Sequence, residues 1–344
     1  MSVTPSQLAT MLTGYFGIRE PVLVTGAPGI GKSDIIAQAA SAAGFDLLIS
    51  HPVTADPTDA KGLPWPVQGS DHATFLPFGD LYQAINATSP LVWFLDDLGQ
   101  ASPAVQAAFM QLLLARRVNG HALPDCVTFA AATNRRTDRA GVSGILEPVK
   151  SRFATIVELE TNIDEWSQWA IANGIPYTLL AFLRYRPELL CKFEASADLT
   201  NSPVPRTWAK LAKGEALNLP ADIEVSAFTG AVGEGAAIEY IAFRNMARSL
   251  GNLDAILLDP SKAAIPTKPD QLYATVVGLA SRANETNFAR IVTYAQRMYS
   301  EADKGEYAAL LIRDSQRRES KVAYTDAYVR MQCSPLGQLL TGKA

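Results

Sequence analysis

The stretch PVLVTGAPGIGKSDIIAQAA, beginning at Pro21, constrains this chain more than any other. Gly26-Ala27-Pro28-Gly29-Ile30-Gly31-Lys32-Ser33 matches G-x-x-x-x-G-K-[ST] at every fixed position. The residues before it are a short β-branched and leucine run, suited to a buried strand. Those after it place Ile35, Ile36, Ala39, Ala40 and Ala43 on one face of a helix. Glycines let successive backbone N–H groups curl around phosphate oxygens, and the helix start adds its positive dipole end. Lys32 can then reach the β and γ phosphates, and the Ser33 hydroxyl can ligate Mg2+. An accidental glycine-rich turn is the competing reading, and the strand and helix flanks argue against it. Residues 26 to 33 are the expected cradle for ATP or ADP.

A phosphate cradle needs an acid at the end of a neighbouring strand to hold the Mg2+ shell. LVWFLDD, residues 91 to 97, supplies one: five apolar residues run straight into Asp96 and Asp97. Unpaired buried charge is expensive, so such a strand end needs a reason. Asp96 is the expected Mg2+ residue. The competing reading is an acid pair that merely opens a turn.

With both elements in place the chain resembles an AAA+ ATPase of the MoxR-like or dynein-related kind. In that family the second acid is usually Glu, which polarises the attacking water. Here it is Asp97, one methylene shorter, and that is the main departure from the pattern. The resemblance further implies sensor 1 at Asn134, after the strand in CVTFAAATN. It implies a trans arginine finger at Arg152 in ILEPVKSRF, and sensor 2 at Arg206 in SPVPRTWAKLAKG. Arg135, Arg136 and Arg139 are the alternative fingers. Each role has a structural competitor: Asn134 as a turn residue, Arg152 as a solvated arginine, Arg206 as an ordinary helix-start residue. The matches span residues 20 to 210; the last ninety or so residues carry no recognised motif.

The implied fold is α/β: a P-loop NTPase αβα sandwich with a parallel five-stranded sheet in the order 5-1-4-3-2, followed by an α-helical lid and a helical C-terminal region. Strands are expected near 21–25, 45–50, 91–95, 127–132 and 154–159, after an N-terminal helix over 4–18. SPAVQAAFMQLLLARRV reads as a helix with Ser102 as N-cap and Pro103 at its first position. Alternating strands and helices imply a sheet covered on both faces, with the ligand at the carboxyl ends of its strands. The expected divisions are 1–160 for the nucleotide domain, 161–250 for the lid and 251–344 for a helical extension or docking region. Residues 51 to 70 carry Pro52, Pro57, Pro64 and Pro66, which argue against a regular helix there. Lys61 and Trp65 in that loop are open to two readings: a substrate-facing pore loop, or a rigid loop whose Trp packs on its own domain.

Composition narrows the partners. Lys plus Arg is 30 against 34 Asp plus Glu, a net charge of −4, which argues against a general polyanion binder. No 18-residue apolar run exists, so membrane insertion is not expected. The N-terminus does not read as a signal peptide. Cys126, Cys191 and Cys333, like His51, His72 and His121, are scattered without zinc-like spacing, and a reducing, cytoplasmic setting fits. The resemblance implies a homo-oligomeric ring, most often a hexamer, that remodels a client protein, with a von Willebrand factor A domain protein as a candidate partner. The alternatives are a nucleic-acid motor or loader, which the charge balance disfavours, and an ATP-dependent switch that hydrolyses slowly because of Asp97.

Overall fold

The computed structural model describes residues 2–69, 71–138, 144–196, 199–250 and 253–340. The chain divides into two compact units. The first runs to Asn162 and takes in the segment that begins at Phe193. The second comprises Ile163–Lys192 and the residues from Leu199 onward.

The first unit contains ten strands among the described residues. They are β1 (Ser2–Val3), β2 (Val22–Thr25), β3 (Asp46–Ser50), β4 (Leu63–Pro66), β5 (Ala73–Leu76), β6 (Leu91–Leu95), β7 (Arg117–Val118), β8 (His121–Ala122), β9 (Val127–Thr133) and β10 (Thr155–Leu159). Its helices are α1 (Pro5–Gly17), α2 (Lys32–Ala42), α3 (Pro57–Lys61), α4 (Gly79–Ile85), α5 (Pro103–Ala115) and α6 (Glu147–Lys150). The main sheet has the order β1-β10-β2-β9-β6-β3, and every pairing in it is parallel. Without β1 this is the expected order 5-1-4-3-2. The sixth strand pairs Ser2 and Val3 with Glu158 and Leu159. Two residues are too few to show a strand pattern in a sequence.

The central strands read as buried because they are. All of β6 and all of β9 are buried, as strands covered on both faces must be. The Trp93 ring stacks on Phe129 at 5.5 Å and meets Phe109 of α5 edge-on at 5.9 Å. Its indole N–H would be stranded there, but it donates to Ser50 Oγ at 2.7 Å, which in turn donates to Asp80 at 2.5 Å. Helix α5 starts as expected, with Ser102 accepting from Val105 N–H and Pro103 at its first position. Its buried face includes Val105, Ala108, Phe109, Leu112 and Leu113.

The proline-rich loop is more regular than its sequence suggests. Asp56 caps α3 with Pro57 at the first helical position, where a missing N–H costs nothing. Then β4 pairs antiparallel with β5 in an exposed two-stranded ribbon. Pro64 and Pro66 are tolerated because such a ribbon is all edge. A second hairpin, β7–β8, precedes β9.

The second unit is helical: α7 (Ile163–Ala172), α8 (Tyr177–Tyr185), α9 (Pro205–Glu215), α10 (Ala221–Val232), α11 (Glu234–Ser249), α12 (Leu253–Leu258), α13 (Pro269–Ala280), α14 (Phe288–Ser300), α15 (Gly305–Arg318), α16 (Asp326–Gln332) and α17 (Pro335–Leu340). One apolar cluster extends from Trp166 to Leu336, so the helices on both sides of Pro260 share a core. At its centre the Phe182 ring lies 5.4 to 5.8 Å from Tyr240, Phe243 and Trp208. A buried ion pair also crosses this core. Arg184 donates to both carboxylate oxygens of Asp314, and its Nε donates to Ser167 Oγ at 3.1 Å, tying α8 to α15 and α7. Removing one member of such a pair leaves an uncompensated buried charge. Asp314→Ala is therefore expected to destabilise the chain by about 3–5 kcal/mol. The double change Arg184→Leu with Asp314→Leu should destabilise it less than the single one, as read from urea unfolding of the full chain.

Candidate nucleotide site

Strand β2 delivers the glycine loop and α2 receives it. Gly26 has φ 155°, and a Cβ there would lie 2.6 Å from Ile30 Cδ1 and 2.9 Å from the Leu159 carbonyl oxygen. Gly31, the N-cap of α2, is left-handed at φ 98°. Both backbone positions favour glycine. They let the amides of the loop gather at the first turn of α2, where the helix dipole is positive.

Lys32 opens α2 and is only 7% exposed. Its ammonium donates to the carbonyls of Gly26 (2.9 Å) and Ala27 (3.0 Å) and to Asn134 Oδ1 (2.7 Å). Asn134 is available because β9 lies beside β2, with Thr25 opposite Thr133. One strand further on, β6 ends in Asp96. Ser33 Oγ donates to Asp96 Oδ2 at 2.9 Å, and the Asp97 amide donates to the other oxygen, Oδ1, at 3.1 Å. Residues 26–33, Asp96 and Asn134 thus meet at the carboxyl ends of three adjacent strands.

Asp97 follows in a left-handed conformation, φ 58° and ψ 36°, which is uncommon for a residue with a side chain. Its Oδ1 accepts from Gln100 Nε2 at 2.7 Å. Gln100 had no role in the sequence reading. The available signal was its place three residues after Asp97, where a tight turn brings the two side chains together. Gln106 was missed as well. It is fully buried on α5, donates to the carbonyls of Ala101 and Gly144, and accepts from the Leu146 amide, which ties α5 to the approach to α6.

The arginines are dispersed. Arg152 follows α6, donates to Ser151 Oγ at 2.8 Å, and has a buried Nε without a partner. No hydrogen bond joins it to the P-loop among the described residues. Arg206 is exposed on the first turn of α9, in the second unit. Arg135 is already engaged: it pairs with Asp138, which is 5% exposed, and with Glu158. Those contacts, led by the Asp138 hydrogen bonds, raise its affinity for its proton. Arg136 is exposed, and Arg139 lies outside the described residues.

In the former loop, Lys61 and Trp65 are both exposed, Trp65 to 58%. The ribbon that bears Trp65 is braced by the second hairpin through His121 to the Phe75 carbonyl at 2.7 Å, and by Asn119 donating to the Lys61 carbonyl at 2.9 Å. A cleft of about 1050 Å3 lies elsewhere, within the second unit beside Arg244, and none of the motif residues lines it.

Residues 21–153 match the family model of the AAA domain, dynein-related subfamily. The chain carries an AAA domain. The matched span contains the P-loop, Asp96, Asp97, Asn134 and Arg152, while Arg206 lies beyond it. Among solved structures the chain is similar to the Thermotoga maritima RuvB Holliday junction branch migration motor, at 15% identity, with 80% of each chain covered and a TM-score of 0.38. A point mutant of Thermotoga maritima RuvB covers 96% of this chain and 88% of its own, at 14% identity and a TM-score of 0.36. No curated protein matches the chain.

The geometry of the AAA+ site fits a magnesium nucleotide. Ser33 and Asp96 offer hard oxygen donors within hydrogen-bond distance of each other. Among the described residues no group of three or more His, Cys, Asp or Glu could hold a metal ion by itself. Mg2+ keeps several waters and takes one or two protein ligands plus phosphate oxygens, so the two donors at Ser33 and Asp96 match what it requires. Lys32→Ala is expected to weaken binding of a fluorescent ATP analogue by about tenfold or more, since it removes the cation that would face the β and γ phosphates. Arg135→Ala should act on stability instead. Stranding the buried Asp138 carboxylate costs about 1–3 kcal/mol, measurable as a lower unfolding midpoint with nucleotide affinity retained.

Proposed function

We propose that this AAA+ protein is a Mg2+-dependent ATPase of MoxR-like type that works as a homo-oligomeric ring, most simply a hexamer, and remodels a partner protein. The observation that carries the ATPase reading is the convergence of Lys32, Ser33, Asp96 and Asn134 at the ends of β2, β6 and β9. In this reading the loop amides and Lys32 hold the phosphates, while Ser33 and Asp96 hold the ion. Bound Mg2+ would offset negative charge on the β and γ phosphate oxygens.

Hydrolysis would then proceed by in-line attack of water on the γ-phosphorus. The new bond to the water oxygen forms as the bond to the β,γ-bridging oxygen breaks, giving ADP and phosphate. Asp97 accepts the proton of the attacking water, and Asn134 helps to orient that water. Arg152 serves the neighbouring subunit's site, and Arg206, on the proposed lid formed by residues 161–250, acts as sensor 2. Asp97 lacks the reach of glutamate by one C–C bond, about 1.5 Å. A displacement near 1 Å can cost about 10²-fold, so hydrolysis is expected to be slow.

A protein client is supported by the exposed β4–β5 ribbon, where Trp65, Leu63, Phe75 and Leu76 present apolar surface beside Lys61. Aromatic anchors of this kind suit protein surfaces. A von Willebrand factor A domain protein is the proposed partner type, the proposed setting is cytoplasmic, and residues 251–344 are the proposed docking region. Among the described residues no helix is long and apolar enough to cross a membrane.

Asp97→Asn is expected to lower the turnover of the assembled protein by about 10²-fold or more, the usual worth of a general base, with nucleotide affinity retained. Arg152→Ala should lower turnover by about 10³-fold or more and abolish its dependence on protein concentration, because a finger in trans acts only across a subunit boundary. Full ATPase rate in a dilute monomer would contradict the ring. Stimulation by DNA, with binding that weakens steeply in salt, would replace the protein client by nucleic acid.

A further inference from the structure

Two glutamines lie close in sequence after the acid pair, and they are satisfied differently. Gln106 uses both ends of its amide, donating to two carbonyls and accepting from one backbone N–H. That is how a structural glutamine behaves in a core. Gln100 uses one end. Its Nε2 donates to Asp97 Oδ1 at 2.7 Å, while its Oε1 is buried with no partner. A buried acceptor without a donor destabilises the fold, and an apolar side chain of similar size would remove that penalty. The contribution of glutamine at this position is therefore its N–H, and that N–H goes to Asp97.

The backbone makes the same connection. Asp97 is left-handed, and the Gln100 amide donates to the Asp97 carbonyl at 3.0 Å, closing the turn that lays one side chain against the other. The acids of the pair are thereby given different tasks. Both oxygens of Asp96 are engaged, by Ser33 and by the Asp97 amide. Asp97 Oδ1 is engaged by Gln100, and Oδ2 accepts no hydrogen bond among the described residues.

We propose that Gln100 is a positioning residue of the hydrolytic site: it fixes the short Asp97 carboxylate so that Oδ2 faces the attacking water. The proposal rests on the ATPase reading and deepens it. A glutamate would reach the water through an extra methylene, and an aspartate must be aimed by its surroundings. A charge-assisted hydrogen bond to one carboxylate oxygen does this without occupying the other.

The test is steady-state ATPase of the assembled full chain carrying Gln100→Leu, together with its unfolding midpoint and its affinity for a fluorescent ATP analogue. Turnover should fall by about tenfold or more, with KM and analogue affinity changed by less than about twofold. The midpoint should stay level or rise, because the unpaired acceptor is gone. In an Asp97→Glu background the same Gln100→Leu change should cost less than about threefold, since the longer acid does not depend on the tether. Unchanged turnover in Gln100→Leu overturns the proposal. So does a loss accompanied by a lower midpoint, or an equal loss in the Asp97→Glu background, each of which marks a structural role. Absence of hydrolysis in the unaltered protein, with analogue binding intact, overturns the ATPase reading and this role with it.

Discussion

Everything at the nucleotide site depends on a buried ammonium group in an unfavourable place. Lys32 is almost fully buried and sits at the start of α2, where the helix dipole is positive. Burial and the dipole both disfavour a cation. It is held by the carbonyls of Gly26 and Ala27 and by Asn134 Oδ1, so its donors are met by oxygens. Those acceptors fix the loop's curvature, and the curvature requires glycine at positions 26 and 31. An incoming phosphate would meet the lysine and the dipole together, and so relieve both penalties at once. The same features that make the loop costly would make it selective for polyanionic phosphate.

The lysine also explains why strand order matters. Asn134 reaches Lys32 only because β9 lies next to β2, and Asp96 reaches Ser33 from β6, one strand beyond. A parallel sheet sets all these strand ends on one edge, so three segments spread over 102 residues of sequence, from Lys32 to Asn134, contribute to one site. A different order would leave the same motifs intact and scattered.

Much of this was legible in the sequence because parallel strands buried on both faces announce themselves as apolar runs. LVWFL and VTFAAAT are unmistakable in that respect, and the P-loop marks which strand holds the phosphate. The rest was hidden for identifiable reasons. Ser2–Val3 pairs only because β10 offers it an edge. LPWP looks like a strand breaker, and it forms one half of a ribbon only because no third strand demands its missing N–H groups. Gln100 carries no pattern at all: its meaning lies in a left-handed residue three positions earlier. The arginines were legible as residues and not as roles. Arg135 and Arg152 occur in similar polar surroundings in sequence, yet one is spent on Asp138 and Glu158 while the other keeps a buried Nε without a partner.

That contrast bears on which arginine can act on another subunit. A residue that stabilises charge in trans has to be released from its own chain at little cost. Arg135 fails this, since withdrawing it would strand a carboxylate that is 5% exposed. Among the described residues the Arg152 side chain donates one hydrogen bond, to the hydroxyl of the residue before it. Its backbone is set by the short turn of α6, which Gln106 connects to α5 through the Leu146 amide, and α5 packs on β6 through Trp93 and Phe109. The proposed finger is thus loosely held at its tip and rigidly held at its root. The root leads back to the strand that ends in Asp96 and Asp97, so in the proposed ring a neighbour's nucleotide and this chain's acid pair would have a continuous packed path between them.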